Sequence, residues 1–239
     1  MEQPKLIVVF SPHPDDEVIA CAGSIVKEVS AGSRVKVVFA TDGAMSHAAV
    51  LGIDSDPSPA ELAVIRQEEA KAAGRVMGVK AEDILFLGFR DTLLAKSRAE
   101  FRAAVTAFLA DHPDVDEIYL PHEVRELNAD HRVTGEEVVR VLKELDQAPR
   151  LFRYVVWDEQ TEAEFVFANR EPTTQAPAAG EQLISVDIAA QLPRKLEALQ
   201  QHRTQVTLYS PAQTRPVVPE AFVTRVCTRD VEQFWIDAG

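Results

Sequence analysis

Runs of apolar, β-branched residues alternate along this chain with longer segments of helical periodicity. The runs cover residues 5–10, 34–43, 83–88 and 115–122, and the helical patterns cover residues 15–32, 57–78, 97–112 and 130–145. The first run, KLIVVF, has no polar alternation, which is typical of a strand buried on both faces. Strands that alternate with helices of this length form βαβ units. The sequence therefore predicts an α/β fold in three layers, with a mostly parallel sheet between two layers of helices.

The pattern changes after Pro149. Two further strands are predicted at residues 150–159 and 163–168, a polar surface loop at 169–182 and a late helix at 188–206. We interpret the whole chain, residues 1–239, as one domain. In this interpretation residues 1–149 form the core, and residues 150–239 are a β/α appendage that completes the sheet edge and the rim of a site.

Composition limits the classes of partner. The 239 residues carry a formal net charge of -13, which argues against nucleic acid or an anionic membrane surface as the main partner. Cys21 and Cys227 are too few and too far apart to indicate a disulfide framework. The apolar run near the N-terminus is too short for a signal peptide, and no stretch approaches the length of a membrane span. We expect a soluble, cytoplasmic protein with a small-molecule substrate, and homo-oligomerisation is left open.

Polar side chains follow each of the first four predicted strands. They are His13, Asp15 and Asp16; Thr41, Asp42 and Gly43; Arg90 and Asp91; and His122, with Asp130 and His131 shortly after it. In open parallel sheets, ligands bind beyond the carboxyl ends of the strands. Histidine and carboxylate groups from both ends of the core are therefore expected to converge on one rim.

The consecutive acids Asp15, Asp16 and Glu17 repel one another, and a divalent cation would offset that repulsion. Imidazole and carboxylate are normal zinc ligands, and catalytic zinc typically takes three protein ligands. His13, Asp16 and His131 would supply three, and Asp15 would be free to deprotonate a metal-activated water. The alternative is an ordinary helix start, with an aspartate as N-cap and an exposed histidine.

Six motifs together resemble one family. They are PHPDDE at 12–17, TDG at 41–43, RQEEA at 66–70, GFRDT at 88–92, NADHR at 128–132 and KLEALQQHRTQ at 195–205. In this order they are similar to the pattern of the PIG-L/LmbE-like N-acetylglucosaminyl deacetylases. The resemblance implies a Rossmann-like fold, one zinc ion and hydrolysis of an acetamide on an amino sugar. Iron(II) would accept the same ligands.

The resemblance also implies individual roles. His13, Asp16 and His131 correspond to the metal ligands, Asp15 to the general base, Asp130 to a second acid near the site, and Arg66 and Asp91 to substrate-holding positions. Without the resemblance, Arg66 could equally be a surface residue paired with Glu69 or Glu61, and Asp91 could cap a turn.

Asn128 departs from the family pattern, which often has histidine at this position. By resemblance, that histidine steadies the oxyanion or protonates the leaving amine. Asparagine can donate a hydrogen bond to an oxyanion but cannot supply a proton. A branch of the family reads similarly, with a histidine six residues earlier, which is His122 here. The hypothesis is that His122 or protonated Asp15 takes the acid role, and His122 is also predicted to contact the substrate.

The remaining histidines and tryptophans admit ordinary interpretations. His47 is interpreted as a solvated loop residue rather than part of a site, and His112 as a cation at a helix end. For His202, a helix C-terminal role and a family role are equally supported. Trp157 and Trp235 are interpreted as packing residues.

No P-loop, dinucleotide fingerprint or nucleophile elbow occurs in the sequence, which disfavours nucleotide hydrolysis, dinucleotide redox chemistry and serine-hydrolase chemistry. The sequence therefore favours a zinc-dependent N-deacetylase of an N-acetylated amino sugar. The alternatives are an amidase of the same fold acting on another N-acyl conjugate, or a metal- and sugar-binding protein that has lost catalysis.

Overall fold

The computed structural model describes residues 3–158 and 180–237. The strands are β1 Leu6–Ser11, β2 Arg34–Thr41, β3 Ile84–Phe89, β4 Glu117–Pro121, β5 Arg150–Tyr154, β6 Glu181–Asp187 and β7 Val231–Asp237. The α-helices are α1 Asp16–Ser30, α2 Pro59–Met77, α3 Arg98–Ala110, α4 Ala129–Glu144, α5 Leu192–Leu199, α6 Arg203–Val206 and α7 Glu220–Phe222. Short 3-10 turns cover Ala81–Asp83 and Leu94–Ser97, and π-helical turns cover His47–Leu51 and Val223–Cys227.

The seven described strands form one sheet in the order β3-β2-β1-β4-β5-β7-β6. The first five strands pair in parallel, whereas β7 is antiparallel to both β5 and β6. The order reverses at β1, so the loops after β1 and β4 open next to each other at the carboxyl edge. The predicted α/β fold with a mostly parallel sheet is confirmed.

Both faces of the sheet are covered, because successive residues of β1 enter different cores. Ile7 and Val9 belong to one buried cluster, and Val8 and Phe10 belong to the other. The first cluster includes residues of α1 and α2, and the second includes residues of α3 and α4. This double burial explains why β1 reads as an uninterrupted apolar run.

The C-terminal part differs from its prediction in several places. The predicted helix over 188–206 is two helices, α5 and α6, separated at residues 200–202. Strands β6 and β7 were not predicted, and β6 begins at Glu181, inside the segment predicted as a loop. The predicted strand at 163–168 lies outside the described residues, and the single-domain interpretation stays a prediction. Within residues 3–158 and 180–237, no helix has the length and apolar character needed to cross a membrane.

Candidate metal centre and active site

Three side chains from the two predicted motifs meet at the carboxyl edge of the sheet. His13 lies in the loop after β1, Asp16 begins α1, and His131 lies in the first turn of α4. Asp16 Oδ2 lies 3.2 Å from His13 Nδ1 and 3.0 Å from His131 Nε2, and the two ring nitrogens lie 3.2 Å apart. These spacings suit three ligands of one metal ion with bonds of ~2.0–2.2 Å. The predicted convergence of these residues is therefore present in the structure.

The far nitrogen of each imidazole faces a carboxylate. His131 Nδ1 lies 3.1 Å from Glu126 Oε1, whereas His13 Nε2 lies 3.2 Å from Asp91 Oδ1 and 3.4 Å from Asp130 Oδ2. Such partners fix the tautomer of a metal-binding histidine and leave its other nitrogen free to coordinate. The donor set and its supports therefore fit a divalent metal.

The electrostatics of the cluster favour a cation. Burial lowers the pKa of His131, but the carboxylates of Asp16 and Glu126 outweigh burial and raise it to about 9. Burial also lowers the pKa of His13, yet Asp91, Asp130 and Asp16 raise it well above its ordinary value. The pKa of Asp16, which burial would raise, is held far below its usual range by His131 and His13. The same field that stabilises imidazolium would stabilise a metal ion.

Asp15 occupies the N-cap position of α1, yet its side chain makes no capping hydrogen bond. Its backbone φ of 142° is unusual for a residue with a side chain, and such strain is often held at functional sites. Asp15 Oδ1 pairs with Arg66 Nη2 at 3.1 Å. Burial raises the pKa of Asp15 to about 6, against the lowering effect of Arg66. The helix-start alternative therefore does not account for this side chain.

Arg66 is buried and belongs to the site rather than to the surface. Its side chain is 2% exposed and donates to the backbone carbonyl oxygens of Gly43, at 2.8 Å, and Pro14. It pairs with neither Glu69 nor Glu61, so the surface alternative is wrong. Gly43 has a φ of +63°, and a Cβ atom there would lie 2.6 Å from Arg66 Nη1. The glycine of the TDG motif thus allows the guanidinium to approach.

A second carboxylate holds the backbone of Asp15. Glu17 Oε2 accepts a hydrogen bond from the Asp15 backbone N–H at 2.9 Å, and Glu17 Oε1 lies 3.2 Å from His202 Nε2. His202 is fully buried and stands at the N-cap position of α6. A helix C-terminal role for His202 is therefore wrong, because the side chain instead supports the loop that carries Asp15.

Asn128 and Asp130 organise the start of α4. Asn128 Oδ1 accepts from the Asp130 backbone N–H at 2.9 Å as an N-cap, which leaves Nδ2 as the donor of this amide. Asp130 is fully buried behind His13 and accepts from the backbone N–H groups of Thr92, at 2.7 Å, and Leu94, at 3.2 Å. Asn128 lines the cavity described below, whereas Asp130 acts on the cluster through His13.

His122 is not brought to this cluster. It is fully buried, its Nε2 lies 3.2 Å from Glu181 Oε2, and Arg125 Nε approaches the same nitrogen at 3.1 Å. Its ring also packs edge-on against Trp235. The roles predicted for His122 in acid catalysis and substrate binding find no support in this placement.

A cavity opens over the cluster. The described residues that line it are His13, Asp15, Asp16, Ile19, Met45, Ser46, Ala49, Val50, Arg66, Asp91, Thr92, Asn128, Val156, Trp157, Gln205, Val217, Val218 and Phe222. Trp157, interpreted from the sequence as a packing residue, lines this cavity, and the sequence did not indicate a role for Gln205, Val217, Val218 or Phe222. His47 lies beside the cavity but is 1% exposed, and its Nε2 lies 2.9 Å from the Thr204 carbonyl oxygen. The interpretation of His47 as a solvated loop residue is therefore wrong.

Residues 8–142 match the model of the PIG-L family, described as GlcNAc-PI de-N-acetylase. The chain belongs to the PIG-L family. A relative from Bacillus anthracis, a probable N-acetyl-alpha-D-glucosaminyl L-malate deacetylase 2, is 28% identical over 86% of this chain and 83% of its own length. Relatives within this family therefore include enzymes described as sugar N-deacetylases.

Solved structures extend the likeness over the C-terminal part. The N,N'-diacetylchitobiose deacetylase of Pyrococcus horikoshii is 25% identical, covers 97% of this chain and 83% of its own, and gives a TM-score of 0.65. A 4-carboxy-2-hydroxymuconate hydratase from Pseudomonas putida, only 17% identical, gives a TM-score of 0.64 over 98% and 95% of the two chains. At that identity the likeness shows the fold alone, and a shared fold does not determine the reaction.

Proposed function

We propose that this PIG-L family member is a metal-dependent hydrolase that removes the acetyl group from an N-acetylhexosamine or its conjugate. The observation that carries the proposal is the triangle of donor atoms from His13, Asp16 and His131, 3.0–3.2 Å apart, with Asp15 lining the same cavity as His13 and Asp16. The deacetylase relatives support the substrate class. Zn²⁺ is the proposed metal, and Fe²⁺ suits the same ligands.

His13, Asp16 and His131 would hold the metal. A bound divalent cation supplies a Lewis acid that polarises the amide carbonyl and lowers the pKa of a water molecule. Asp15 accepts the proton from the attacking water, and its buried position gives it a pKa near the working range of a general base. Arg66 keeps this carboxylate ionised and oriented. Asn128 Nδ2 donates a hydrogen bond to the carbonyl oxygen as negative charge develops there.

The proton then returns from Asp15 to the leaving amine. His122 is less suited to this step, because it is buried against Glu181 and does not line the described part of the cavity. Assigning both proton transfers to Asp15 explains how the chain can work with asparagine at position 128.

Release of acetate from N,N'-diacetylchitobiose and N-acetylglucosamine tests the proposal. We expect turnover with Zn²⁺ or Fe²⁺, its loss on chelation and its return when metal is restored. Asp15→Asn should keep the metal and lose turnover, whereas Asp16→Ala and His131→Ala should lose metal. His112→Ala, at the end of α3, is the matched histidine control. Metal content equal to that of the wild type in both ligand variants would refute the assignment. A metal-loaded chain that releases no acetate from either compound would favour the alternatives, an amidase for another N-acyl conjugate or a binding protein.

A further inference from the structure

Part of the cavity is lined by apolar side chains from two segments of the chain. We define this apolar wall as Ala49, Val50, Val217, Val218 and Phe222, all of which line the same cavity as Asp15 and Asp16. Ala49 and Val50 belong to the π-helical turn after β2, and the other three follow α6 in the sequence. None of these side chains can donate or accept a hydrogen bond.

Hydrogen bonds join the segments of the wall to one another. Gln205 Nε2 donates to Ser46 Oγ at 3.2 Å, and the Val218 backbone N–H donates to the Gln205 carbonyl oxygen at 2.8 Å. Arg215 Nη2 donates to the Val50 carbonyl oxygen at 3.0 Å. These bonds occupy the backbone carbonyl of Val50 and the backbone N–H of Val218, and they hold the two segments of the wall against each other.

The apolar surface continues toward the proposed reaction centre. Ile19 lies on α1 four residues after Asp15, which places both on one face at the start of that helix, and it lines the cavity. Trp157 also lines the cavity, with its ring 6.4 Å from the ring of His131. A substrate whose amide reaches Asp15 therefore meets apolar side chains on one side of the cavity, whereas Arg66, Asp91 and Asn128 offer polar groups elsewhere in it.

A sugar hydroxyl buried against such a wall would lose its hydrogen bonds to water without gaining others, which is costly. The methyl group of an acetamide is small compared with five apolar side chains. We propose that the substrate carries an apolar alkyl or aryl group beside the reacting N-acyl sugar, and that the apolar wall binds it. This inference rests on the deacetylase function proposed above and specifies its substrate.

The apolar group has two chemical sources, an aglycone on the sugar or a longer acyl chain on the amide. Both present the same hydrocarbon surface to the wall. Val217, Val218 and Phe222 lie outside residues 8–142, the part that matches the family model. The wall is therefore contributed in part by residues that the family match does not cover.

Binding is measured first without any reaction, by calorimetry with methyl, butyl and octyl β-D-glucopyranosides below micelle-forming concentrations. These probes have no amide, so their affinity does not depend on turnover. Each methylene buried should tighten binding about fourfold. We expect at least a tenfold gain from methyl to octyl, and equal affinities along the series would overturn the proposal.

Two turnover series then distinguish the sources. One varies the alkyl glycoside of N-acetylglucosamine, and the other varies the acyl chain of N-acyl glucosamines. A rise in kcat/KM with chain length in one series places the apolar group on that side of the sugar. Turnover that is equal along both series would overturn the proposal and leave the deacetylase function standing. No turnover of any compound would refute that function, while the binding series still tests the wall.

Val50→Asn places an amide in the wall and should reduce the gain from methyl to octyl to less than threefold. Val217→Asn repeats the test from the other segment. Val64→Asn, on the exposed surface of α2, is the matched control and should bind like the wild type. An unchanged tenfold gain in both wall variants, with melting temperatures near that of the wild type, would overturn the proposal.

Discussion

Replacing Arg66 by methionine tests how the proposed base Asp15 is kept ionised. The guanidinium lies 3.1 Å from Asp15 Oδ1, and it is the largest influence that lowers the pKa of this carboxyl group. Methionine retains much of the buried side-chain volume but removes the charge. Burial would then act on Asp15 without its closest cation, so its pKa should rise further.

The size of the effect follows from the position of the pair. An opposite charge at this distance changes a buried carboxyl pKa by roughly 1–3 units. A carboxyl group with a pKa of about 6 is about 90% ionised at pH 7, whereas one with a pKa of ~8 is about 10% ionised. We therefore expect kcat/KM at pH 7 to fall about tenfold and to recover substantially by pH 9.

The assay is the pH profile of kcat/KM for acetate release by the metal-loaded enzyme. In Arg66→Met the acidic limb should move upward by roughly 1–3 pH units, and in Arg66→Lys, which keeps the charge, it should move less. A loss of activity that is uniform from pH 6 to pH 9, with the acidic limb in place, would refute the reasoning. Arg66 would then act on substrate binding, as the family resemblance implies.

Three further predictions concern other residues. Asn128→Ala should lower kcat by about 100-fold with little change in KM. Asn128→Asp keeps the oxygen that caps α4, so it should lose as much activity with a smaller change in melting temperature. Full activity in either variant would remove Asn128 from the mechanism. Because a metal must displace the protons held by His131, whose pKa is raised to about 9, and by His13, whose pKa is also raised, the affinity for Zn²⁺ should rise at least ~10-fold from pH 7 to pH 8. A chelator competition that finds equal affinities would contradict this. Lys195→Met removes the ammonium group that lies 2.7 Å from the buried Glu232 carboxylate. It should lower the free energy of unfolding by about 3–5 kcal/mol, and a loss below ~1 kcal/mol in urea denaturation would contradict the prediction.

The metal cluster could be predicted because its geometry follows from local patterns. An apolar run in the sequence marks each parallel strand. The residues that follow such a run therefore lie at the carboxyl edge of the sheet. His13 and Asp16 follow β1, and His131 follows β4, which lies next to β1 in the sheet. Because β1 and β4 are neighbours, the segments that follow them bring these three residues together at one edge of the sheet.

The rest of the site depends on contacts that no local pattern encodes. His47 reads as a loop histidine, but it is buried because Thr204, distant in sequence, packs against it. The late helix reads as continuous, but it is interrupted where His202 turns inward to Glu17. Strands β6 and β7 are antiparallel and partly exposed, and their mixture of polar and apolar residues lacks the uninterrupted apolar run that marks β1. Tertiary packing decided each of these cases.

The buried carboxylate of Glu232 has a consequence for how the protein is made. Glu232 lies on β7 and accepts hydrogen bonds from the backbone N–H groups of Gly23 and Ser24, 209 and 208 positions earlier on α1. At ~5–20 residues per second, a ribosome takes roughly 10–40 s to add the intervening chain. Throughout that interval the helix that begins at Asp16 lacks one of its buried anchors. Newly synthesised chains therefore pass through a period in which a chaperone, a protease or a stray metal ion can reach the N-terminal half first.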